Sequence, residues 1–175
     1  MAKNVLVVGG AGYIGSHTCL RLAEQGYQPI VFDNLSNGHS EFVQWGPLEV
    51  GDIRDRARLG EVFEKYRPVA VLHFAALIEV GESVTNPVGF YDNNVIGSLT
   101  LLAAAMEAGV EAFVFSSTCA TYGLPDRVPM DEAHKQVPIN PYGRTKLIVE
   151  QALKDFSEYK GLRSVMLRYF NAAGA

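Results

Sequence analysis

A tyrosine and a lysine stand four residues apart in Asn140–Lys146, and this spacing could support proton transfer. Tyr142 and Lys146 would share one face of a helix, because side chains four positions apart are neighbours on a helix surface. A free phenol has a pKa of about 10, and a nearby ammonium favours its phenolate form. Tyr142 could then act as a base near neutral pH. Chance also places this pair on many helix faces, so the interpretation needs independent support.

A glycine-rich turn near the amino terminus could bind a phosphate group. The apolar run Val5–Val8 indicates a buried strand, and an amphipathic pattern from about Tyr13 indicates a helix. The residues between them, Gly9–Gly15, contain glycines at both the G-x-G-x-x-G and the G-x-x-G-x-x-G spacing. Free backbone N–H groups and the helix dipole favour an anion at such a junction. The alternative is a tight turn that binds nothing.

An acidic residue follows the second apolar run. Asp33 ends the run Ile30–Phe32, close to the spacing of about 20 residues from the glycines that dinucleotide sites show. A carboxylate there accepts hydrogen bonds from ribose hydroxyls and repels a 2′-phosphate, and no arginine follows it. The pattern therefore predicts NAD rather than NADP as the cofactor. The alternative is that Asp33 caps a helix or a turn.

Small and polar residues follow three further strand-like runs. Asp52 could cap the next helix or meet the adenine amino group. Phe74–Ala76 could let the backbone approach a cofactor, or could simply allow tight packing. Ser116–Thr118 would place hydroxyls at the carboxyl edge of a parallel sheet, where ligands bind. Ordinary turn chemistry produces the same Ser/Thr cluster.

Apolar strand-like runs alternate with helix-like stretches, which indicates an α/β fold with a parallel sheet. The expected strands are Val5–Val8, Ile30–Phe32, Leu48–Val50, Val69–Phe74, Ala112–Phe115 and Val165–Leu167. The expected helices are Ile14–Gln25, Leu59–Tyr66, Phe90–Ala108 and Tyr142–Lys160, and loops are expected at Asn34–Pro47 and Leu77–Pro87. We therefore predict a Rossmann-type doubly wound sheet in three layers, with strand order 3-2-1-4-5-6.

Composition narrows the classes of function. The chain has 175 residues, of which 48% are hydrophobic and 19% charged, which suits one globular domain. A net charge of −4 without a basic block argues against nucleic acid or a membrane surface as a main partner. Cys19 and Cys119 lack metal-ligand spacing, so no metal is expected. Free thiols and the absence of a signal peptide before the first strand predict a cytoplasmic protein.

The glycine turn, Asp33, Thr118 and Tyr142-x-x-x-Lys146 together resemble the extended short-chain dehydrogenase/reductase family. Within that family, the resemblance is to the nucleotide-sugar 4-epimerase branch. The matching stretches run from end to end of the chain in the family's order: Val8–His17, Asp33–Leu35, Gly51–Ile53, His73–Ala76, Val80–Ser83, Tyr91–Asn94, Tyr142–Lys146 and Leu167–Asn171.

The resemblance implies an isomerase that interconverts UDP-glucose and UDP-galactose by oxidation and re-reduction at sugar C4, with NAD as cofactor. The implied catalytic residues are Thr118, Tyr142 and Lys146. Tyr142 would take the proton of the C4 hydroxyl, Thr118 would hydrogen-bond the same oxygen, and Lys146 would lower the pKa of Tyr142 and hold the nicotinamide ribose.

The resemblance also implies two sets of binding residues. The cofactor set is Gly9, Gly12, Tyr13, Ile14, Gly15, Asp33, Asn34, Asn37, Asp52, Ile53, Phe74, Ala75, Ala76, Asn94, Ser116, Tyr142, Lys146 and Tyr169. The substrate set is Ser83, Thr118, Tyr142, Phe170 and Asn171.

Length departs from the family pattern, because the family continues well beyond Asn171 into a small domain that grips the nucleotide sugar. We therefore expect residues 1–175 to be an incomplete NAD-binding Rossmann domain that lacks this C-terminal domain and is inactive by itself. Family members pair through helices that match 90–108 and 142–160, which implies a homodimer.

Other functions remain open within the same fold. They are an epimerase for N-acetylated or pentose sugars, a nucleotide-sugar dehydratase, and an NAD-binding module without catalysis. A dehydratase would need acidic residues after the active-site threonine, where this chain has Cys119-Ala120.

Overall fold

A parallel sheet forms the centre of residues 2–174, the part of the chain that the computed structural model describes. The first and last residues of the predicted domain 1–175 therefore lie outside the described part. The strands are β1 (Asn4–Val8), β2 (Gln28–Asp33), β3 (Leu48–Val50), β4 (Ala70–His73), β5 (Ala112–Ser116) and β6 (Arg163–Leu167). Their order is β3-β2-β1-β4-β5-β6 and their pairings are parallel. The predicted doubly wound topology is confirmed.

Helices connect these strands. They are α1 (Tyr13–Glu24), α2 (Arg56–Tyr66), α3 (Val80–Thr85), α4 (Pro87–Phe90), a π-helical segment (Tyr91–Gly97), α5 (Ser98–Glu107) and α6 (Pro141–Lys160), with 3-10 turns at Ser40–Phe42 and Cys119–Thr121. The predicted cap of α6 is confirmed: Asn140 accepts a 2.7 Å hydrogen bond from a backbone N–H of the first turn, and Pro141 is the first helical residue.

Each face of the sheet buries its own apolar cluster. Along β1, Leu6 and Val8 pack with α2, α5 and α6, whereas Val5 and Val7 pack with α1. All four side chains are at most 2% exposed. Each contributes about 1.5–3 kcal/mol by burial, so β1 is anchored from both sides. This rigid central strand carries the glycine turn at its carboxyl end.

Two predictions of local structure differ from the fold. We expected a loop at Leu77–Pro87, but Val80–Thr85 is helical because it packs against α6, which compensates for its weak intrinsic helix propensity. The helix expected at Phe90–Ala108 is interrupted by the π-helical segment Tyr91–Gly97. Such π turns occur frequently at functional sites.

Strand β6 forms one edge of the sheet and leaves apolar surface uncovered. Val165 is 53% exposed and Leu167 is 42% exposed, although β6 pairs with β5 along its whole length. These side chains form an exposed apolar edge of the sheet.

Residues 2–174 contain neither a membrane-spanning helix nor a cluster of metal ligands. Within that range no helix has both the length and the apolar character that crossing a membrane requires. The same residues bring together no group of three or more His, Cys, Asp or Glu side chains that could hold a metal ion. Cys19 and Cys119 are both free.

Candidate active site

A cleft opens where the strand order reverses, between the carboxyl ends of β1 and β4. Ligands of open α/β sheets bind at this position because neighbouring connections leave the sheet toward opposite faces. The cleft holds about 650 Å³ of empty space, including its opening to solvent. Its lining residues are Val8, Gly9, Gly12, Phe32, Asp33, Asn34, Ser36, Asn37, Gly38, Gly51, Ile53, Phe74, Ala75, Ala76, Leu77 and Asn93.

The glycines of the turn after β1 serve different purposes. Gly9 has φ +80°, and a Cβ there would lie 2.5 Å from the backbone nitrogen of Ala75. A Cβ on Gly15 would lie 2.2 Å from the carbonyl oxygen of Gly9. These two glycines are therefore required by packing. Gly12 has an ordinary φ of −84°, and a Cβ there would meet only one protein atom, at 3.4 Å.

The amino end of α1 is open to a ligand. Gly12 is its N-cap and supplies no side-chain hydrogen bond, and the first turn contains no acidic residue. The first backbone N–H groups of a helix need partners from outside the helix. The missing Cβ of Gly12 leaves the backbone accessible from the cleft, so an anionic group such as a pyrophosphate fits here.

Asp33 connects the glycine turn to the loop after β2. It is 8% exposed, and its carboxylate accepts hydrogen bonds from the backbone N–H of Ala11 at 3.0 Å and of Leu35 at 2.9 Å. Asp33 therefore stabilises the turns on both sides of it, which is the structural role that the sequence left open. Each carboxylate oxygen has a second lone pair, so Asp33 can also accept hydrogen bonds from ribose hydroxyls in the cleft.

Asp52 lies beside the cleft and outside its lining. Arg54 pairs with it at 2.7 Å, and Asn34 donates to it at 3.2 Å. The hydrogen bonds from Arg54 hold the pKa of Asp52 well below its usual range. The alternative that Asp52 caps the next helix is wrong, because Asp55 caps α2 and accepts from its third backbone N–H.

Asn94 is buried in the π-helical segment, and its amide is fully engaged. It accepts from the backbone N–H of Leu77 at 2.8 Å and donates to the Leu77 carbonyl at 2.9 Å. It also donates to Thr145 of α6 at 3.3 Å and accepts from the side chain of Asn93. Asn94 thus holds the chain after β4 against α6, while Asn93 lines the cleft.

The residues predicted to be catalytic meet at the carboxyl end of β5, the neighbour of β4. The Tyr142 phenol lies close enough to the Thr118 side chain for that hydroxyl to lower the pKa of the phenol in part. Lys146, one helical turn further along α6, is 3% exposed and donates a 2.9 Å hydrogen bond to the carbonyl oxygen of Ser116. The structure therefore brings the three residues together from two separate elements.

In the chain without ligands, Tyr142 does not have the lowered pKa that the resemblance implies, and its pKa with NAD bound stays a prediction. Burial raises the pKa of Tyr142, the hydrogen bond from Thr118 lowers it only in part, and Tyr169 raises it further. Burial also lowers the pKa of Lys146 to about 7, so its amine is only partly charged at neutral pH. Its nitrogen lies 6.0 Å from the centre of the Tyr142 ring.

The residues predicted to bind the substrate differ in their exposure to solvent. Ser83 is fully buried in α3, and its hydroxyl donates to the Val80 carbonyl at 2.6 Å, which gives it a local structural contact. Phe170 is 71% exposed, and Asn171 is also exposed. Tyr169 hydrogen-bonds Ser116 through its hydroxyl. Their contacts with a substrate stay predictions.

Half of the residues predicted to bind the cofactor line the cleft. Predicted residues in the lining are Gly9, Gly12, Asp33, Asn34, Asn37, Ile53, Phe74, Ala75 and Ala76. Predicted residues outside it are Tyr13, Ile14, Gly15, Asp52, Asn94, Ser116, Tyr142, Lys146 and Tyr169. The prediction missed Val8, Phe32, Ser36, Gly38, Gly51, Leu77 and Asn93, which are sequence neighbours of predicted residues.

A ligand cleft at the switch point of a doubly wound parallel sheet places the chain among Rossmann-type dinucleotide-binding proteins. A comparison with protein families places the chain in one family within this class. Residues 5–175 match the NAD dependent epimerase/dehydratase family, and the chain belongs to it. This match confirms the family resemblance that the sequence motifs indicated.

Individual relatives are similar over nearly the whole chain. The UDP-glucose 4-epimerase of Rhizobium meliloti (strain 1021) is 77% identical over 173 residues, which cover 99% of this chain and 53% of that protein. The crystal structure of UDP-glucose 4-epimerase from Brucella ovis in complex with NAD is 59% identical with a TM-score of 0.97, covering 99% of this chain and 54% of that one. The Thermotoga maritima UDP-glucose 4-epimerase with UDP-glucose is 41% identical with a TM-score of 0.94, covering 98% and 56%. The chain therefore spans about half the length of these relatives.

Proposed function

We propose that this chain binds NAD and carries the catalytic residues of a protein that interconverts UDP-glucose and UDP-galactose. The observation that carries the proposal is the placement of the Tyr142 phenol beside the Thr118 side chain, one helical turn from the buried Lys146. The relatives with this activity support the choice of substrate. Because the chain spans only about half of their length, the activity is proposed for the whole protein and not for these residues alone.

The cleft suits NAD in three respects. The pyrophosphate would bind at the amino end of α1, where the helix dipole favours an anion and Gly12 leaves room for it. Asp33 would accept hydrogen bonds from the adenosine ribose, and its negative charge would disfavour the 2′-phosphate of NADP. Phe74–Ala76 would line the continuation of the cleft toward β5.

Tyr142 and Thr118 would act on the C4 hydroxyl of the sugar. The phenolate form of Tyr142 would accept the hydroxyl proton, and the resulting phenol would later return it to the same oxygen, while Thr118 would hydrogen-bond that oxygen throughout. Bound NAD would supply a reversible acceptor for the hydride from C4. Since Tyr142 is protonated in the chain alone, the first proton transfer requires its pKa to fall when ligands bind.

Lys146 has free donors for the nicotinamide ribose. An ammonium carries three N–H groups, and one of them binds the carbonyl oxygen of Ser116. Ribose hydroxyls would replace part of the hydration that burial removes. They would therefore raise the pKa of Lys146 from about 7 and restore its positive charge near Tyr142.

The assembly and the compartment are also part of the proposal. A homodimer would form through residues 90–108 and 142–160, and the exposure of Ile96 (54%) and Leu99 (38%) supports this. An Ile96→Asp change should then shift the sedimentation of the whole protein from dimer to monomer. The free state of both cysteines supports a cytoplasmic location, which cell fractionation would test.

Native mass spectrometry tests NAD binding. The purified chain should carry one NAD that is released on denaturation. A Gly12→Ala variant should carry less, because its Cβ would occupy the space of the pyrophosphate. A chain that takes up no NAD, even when NAD is added, would contradict the cofactor proposal for these residues.

Turnover of UDP-galactose tests the reaction in the whole protein. Tyr142→Phe should lower kcat by about 10²–10⁴-fold, the usual contribution of a general acid/base, while NAD stays bound. Tyr159→Phe is the matched control on α6, since Tyr159 is 71% exposed, and it should leave turnover unchanged. Equal turnover by both variants would refute the role of Tyr142.

The products distinguish the remaining functions of this family. Turnover restricted to UDP-N-acetylglucosamine or a UDP-pentose would identify another epimerase, and loss of water would identify a dehydratase. Bound NAD without turnover of any nucleotide sugar would identify a binding module. We also propose that the 175-residue chain alone does not turn over substrate.

A further inference from the structure

Glu150 is a fully buried acid in the helix that carries Tyr142, two helical turns further along α6. Its carboxylate accepts hydrogen bonds from the hydroxyl of Ser117 and from the side chain of Gln136 at 2.8 Å. The guanidinium of Arg168 completes the set, at 2.7 and 2.9 Å. One side chain therefore connects α6, the end of β5, the segment before α6 and the segment after β6.

The segment after β6 returns to the segment after β5. The carbonyl oxygen of Arg168 accepts a 3.5 Å hydrogen bond from the thiol of Cys119. The carbonyl oxygen of Tyr169 accepts one from the Cys119 backbone N–H at 3.2 Å. Thr118 is therefore flanked on one side by a residue bound to Glu150 and on the other by a residue bound to the chain after β6.

We propose that Glu150 is a positioning residue that holds Thr118 against Tyr142 for the proposed reaction. The inference rests on the proposed function, since it names what keeps the reacting pair aligned. Proton transfer between the sugar hydroxyl and Tyr142 needs a heavy-atom separation of about 2.6–3.2 Å. Tyr142 lies on α6 and Thr118 follows β5, so a contact between these two elements must hold both side chains around the same oxygen. Glu150 connects those elements through Ser117 and, by way of Arg168, through the chain after β6.

Charge is essential to this connection. Burial opposes ionisation of Glu150, but the hydrogen bonds from Arg168, Ser117 and Gln136 outweigh it and hold its pKa below the usual value. The group is therefore a carboxylate at neutral pH. Glu150→Gln would keep the shape, remove the charge and turn an N–H donor toward the donors around it.

Kinetics of the whole protein provide the first test. Glu150→Gln should lower kcat by about 10- to 100-fold with little change in KM or in NAD content, because misalignment affects the transition state. Ser117→Ala removes one hydrogen bond but keeps the buried ion pair, so it should fold and show a smaller loss of kcat. Glu158→Gln, at an exposed position of α6, is the matched control and should behave as the parent.

Titration of Tyr142 provides a readout that a merely structural role would not change. The hydrogen bond from Thr118 lowers the pKa of Tyr142, so loss of alignment should raise that pKa in Ser117→Ala and Glu150→Gln. Carbon-13 labelling of tyrosine and NMR would follow it, with Tyr142→Phe identifying the resonance. If Glu150 only stabilised the fold, the two variants would unfold more easily and the pKa of Tyr142 would stay unchanged.

The outcomes separate the two proposals. Parental kcat and parental Tyr142 titration in folded Ser117→Ala and Glu150→Gln proteins would overturn the role of Glu150. If the parent turns over no nucleotide sugar, the proposed function fails. A raised Tyr142 pKa in both variants would then still support Glu150 as the residue that aligns the pair.

Discussion

The amine of Lys146 donates a 2.9 Å hydrogen bond to the carbonyl oxygen of Ser116 from a buried position. This contact joins α6 to the last residue of β5. Burial lowers the pKa of Lys146 to about 7, so the residue changes charge near neutral pH in the chain without ligands. The site therefore holds a partly charged lysine beside a phenol whose own pKa is raised.

Lys146→Met should change the dependence of stability on pH. The unfolded state keeps the lysine charged up to its ordinary pKa of 10.5, whereas the folded state loses the proton near 7. Between these values the unfolded state binds more protons, so this lysine destabilises the fold most below pH 7 and less as pH rises. The free energy of unfolding of Lys146→Met relative to the parent should therefore be most favourable at about pH 6 and decline toward about pH 9.

Urea unfolding of the NAD-free chain at both pH values would measure this difference. Lys154→Met, an exposed change on the same helix, should show no such trend. A constant difference between Lys146→Met and the parent across this range would contradict a folded-state pKa near 7.

Thr118→Val and Thr118→Ser should separate the hydroxyl from the rest of the side chain. Valine removes the hydrogen bond that lowers the pKa of Tyr142, so the phenol should titrate at higher pH and kcat should fall by about 100-fold. Serine keeps the hydroxyl and should retain most activity. The pH dependence of kcat for both variants of the whole protein checks this, and equal effects of valine and serine would show that the hydroxyl is not used.

Gly12→Ala should weaken NAD binding without destabilising the fold, whereas Gly15→Ala should destabilise the fold. At Gly12 the backbone suits alanine and the nearest protein atom is 3.4 Å from the new Cβ, so stability should change little. NAD affinity should fall about tenfold or more, a loss of ~1.4 kcal/mol. At Gly15 the Cβ would lie 2.2 Å from a carbonyl oxygen, so unfolding should become easier by about 1–3 kcal/mol.

Thermal unfolding and NAD titration distinguish these effects. Gly60→Ala is the control, because nothing lies within 4 Å of its Cβ in α2, and it should stabilise the chain by about 1 kcal/mol. Unimpaired NAD binding in Gly12→Ala would mean that the turn is only structural.

Asp33→Asn should weaken both the turn and the choice of cofactor. One of the backbone N–H groups of Ala11 and Leu35 would face an amide donor instead of an acceptor, which costs about 1–3 kcal/mol. Loss of the negative charge should also reduce the preference for NAD over NADP. Urea unfolding and calorimetric titration with both cofactors would test this, and an unchanged preference would exclude Asp33 as its source.

Local sequence predicted the central elements well because their signals are local. The run Val5–Val8 is apolar at every position, as burial on both faces requires, and it forms β1 with that burial. Asn140-Pro141 predicted the start of α6 because capping depends on adjacent residues. The helix at Val80–Thr85 was missed because packing against α6, a distant segment, stabilises it.

The sequence by itself determined the alternation of strands and helices, the glycine turn, the acid after β2 and the Tyr142–Lys146 spacing, since each follows from neighbouring residue types. Only the tertiary structure decided the charge states and alignment of the site. Burial lowers the pKa of Lys146, and hydrogen bonds of Glu150 with Ser117 and Arg168 connect the chain on either side of Thr118 to α6. Desolvation and long-range hydrogen bonds depend on which segments meet in space, and no local pattern encodes that.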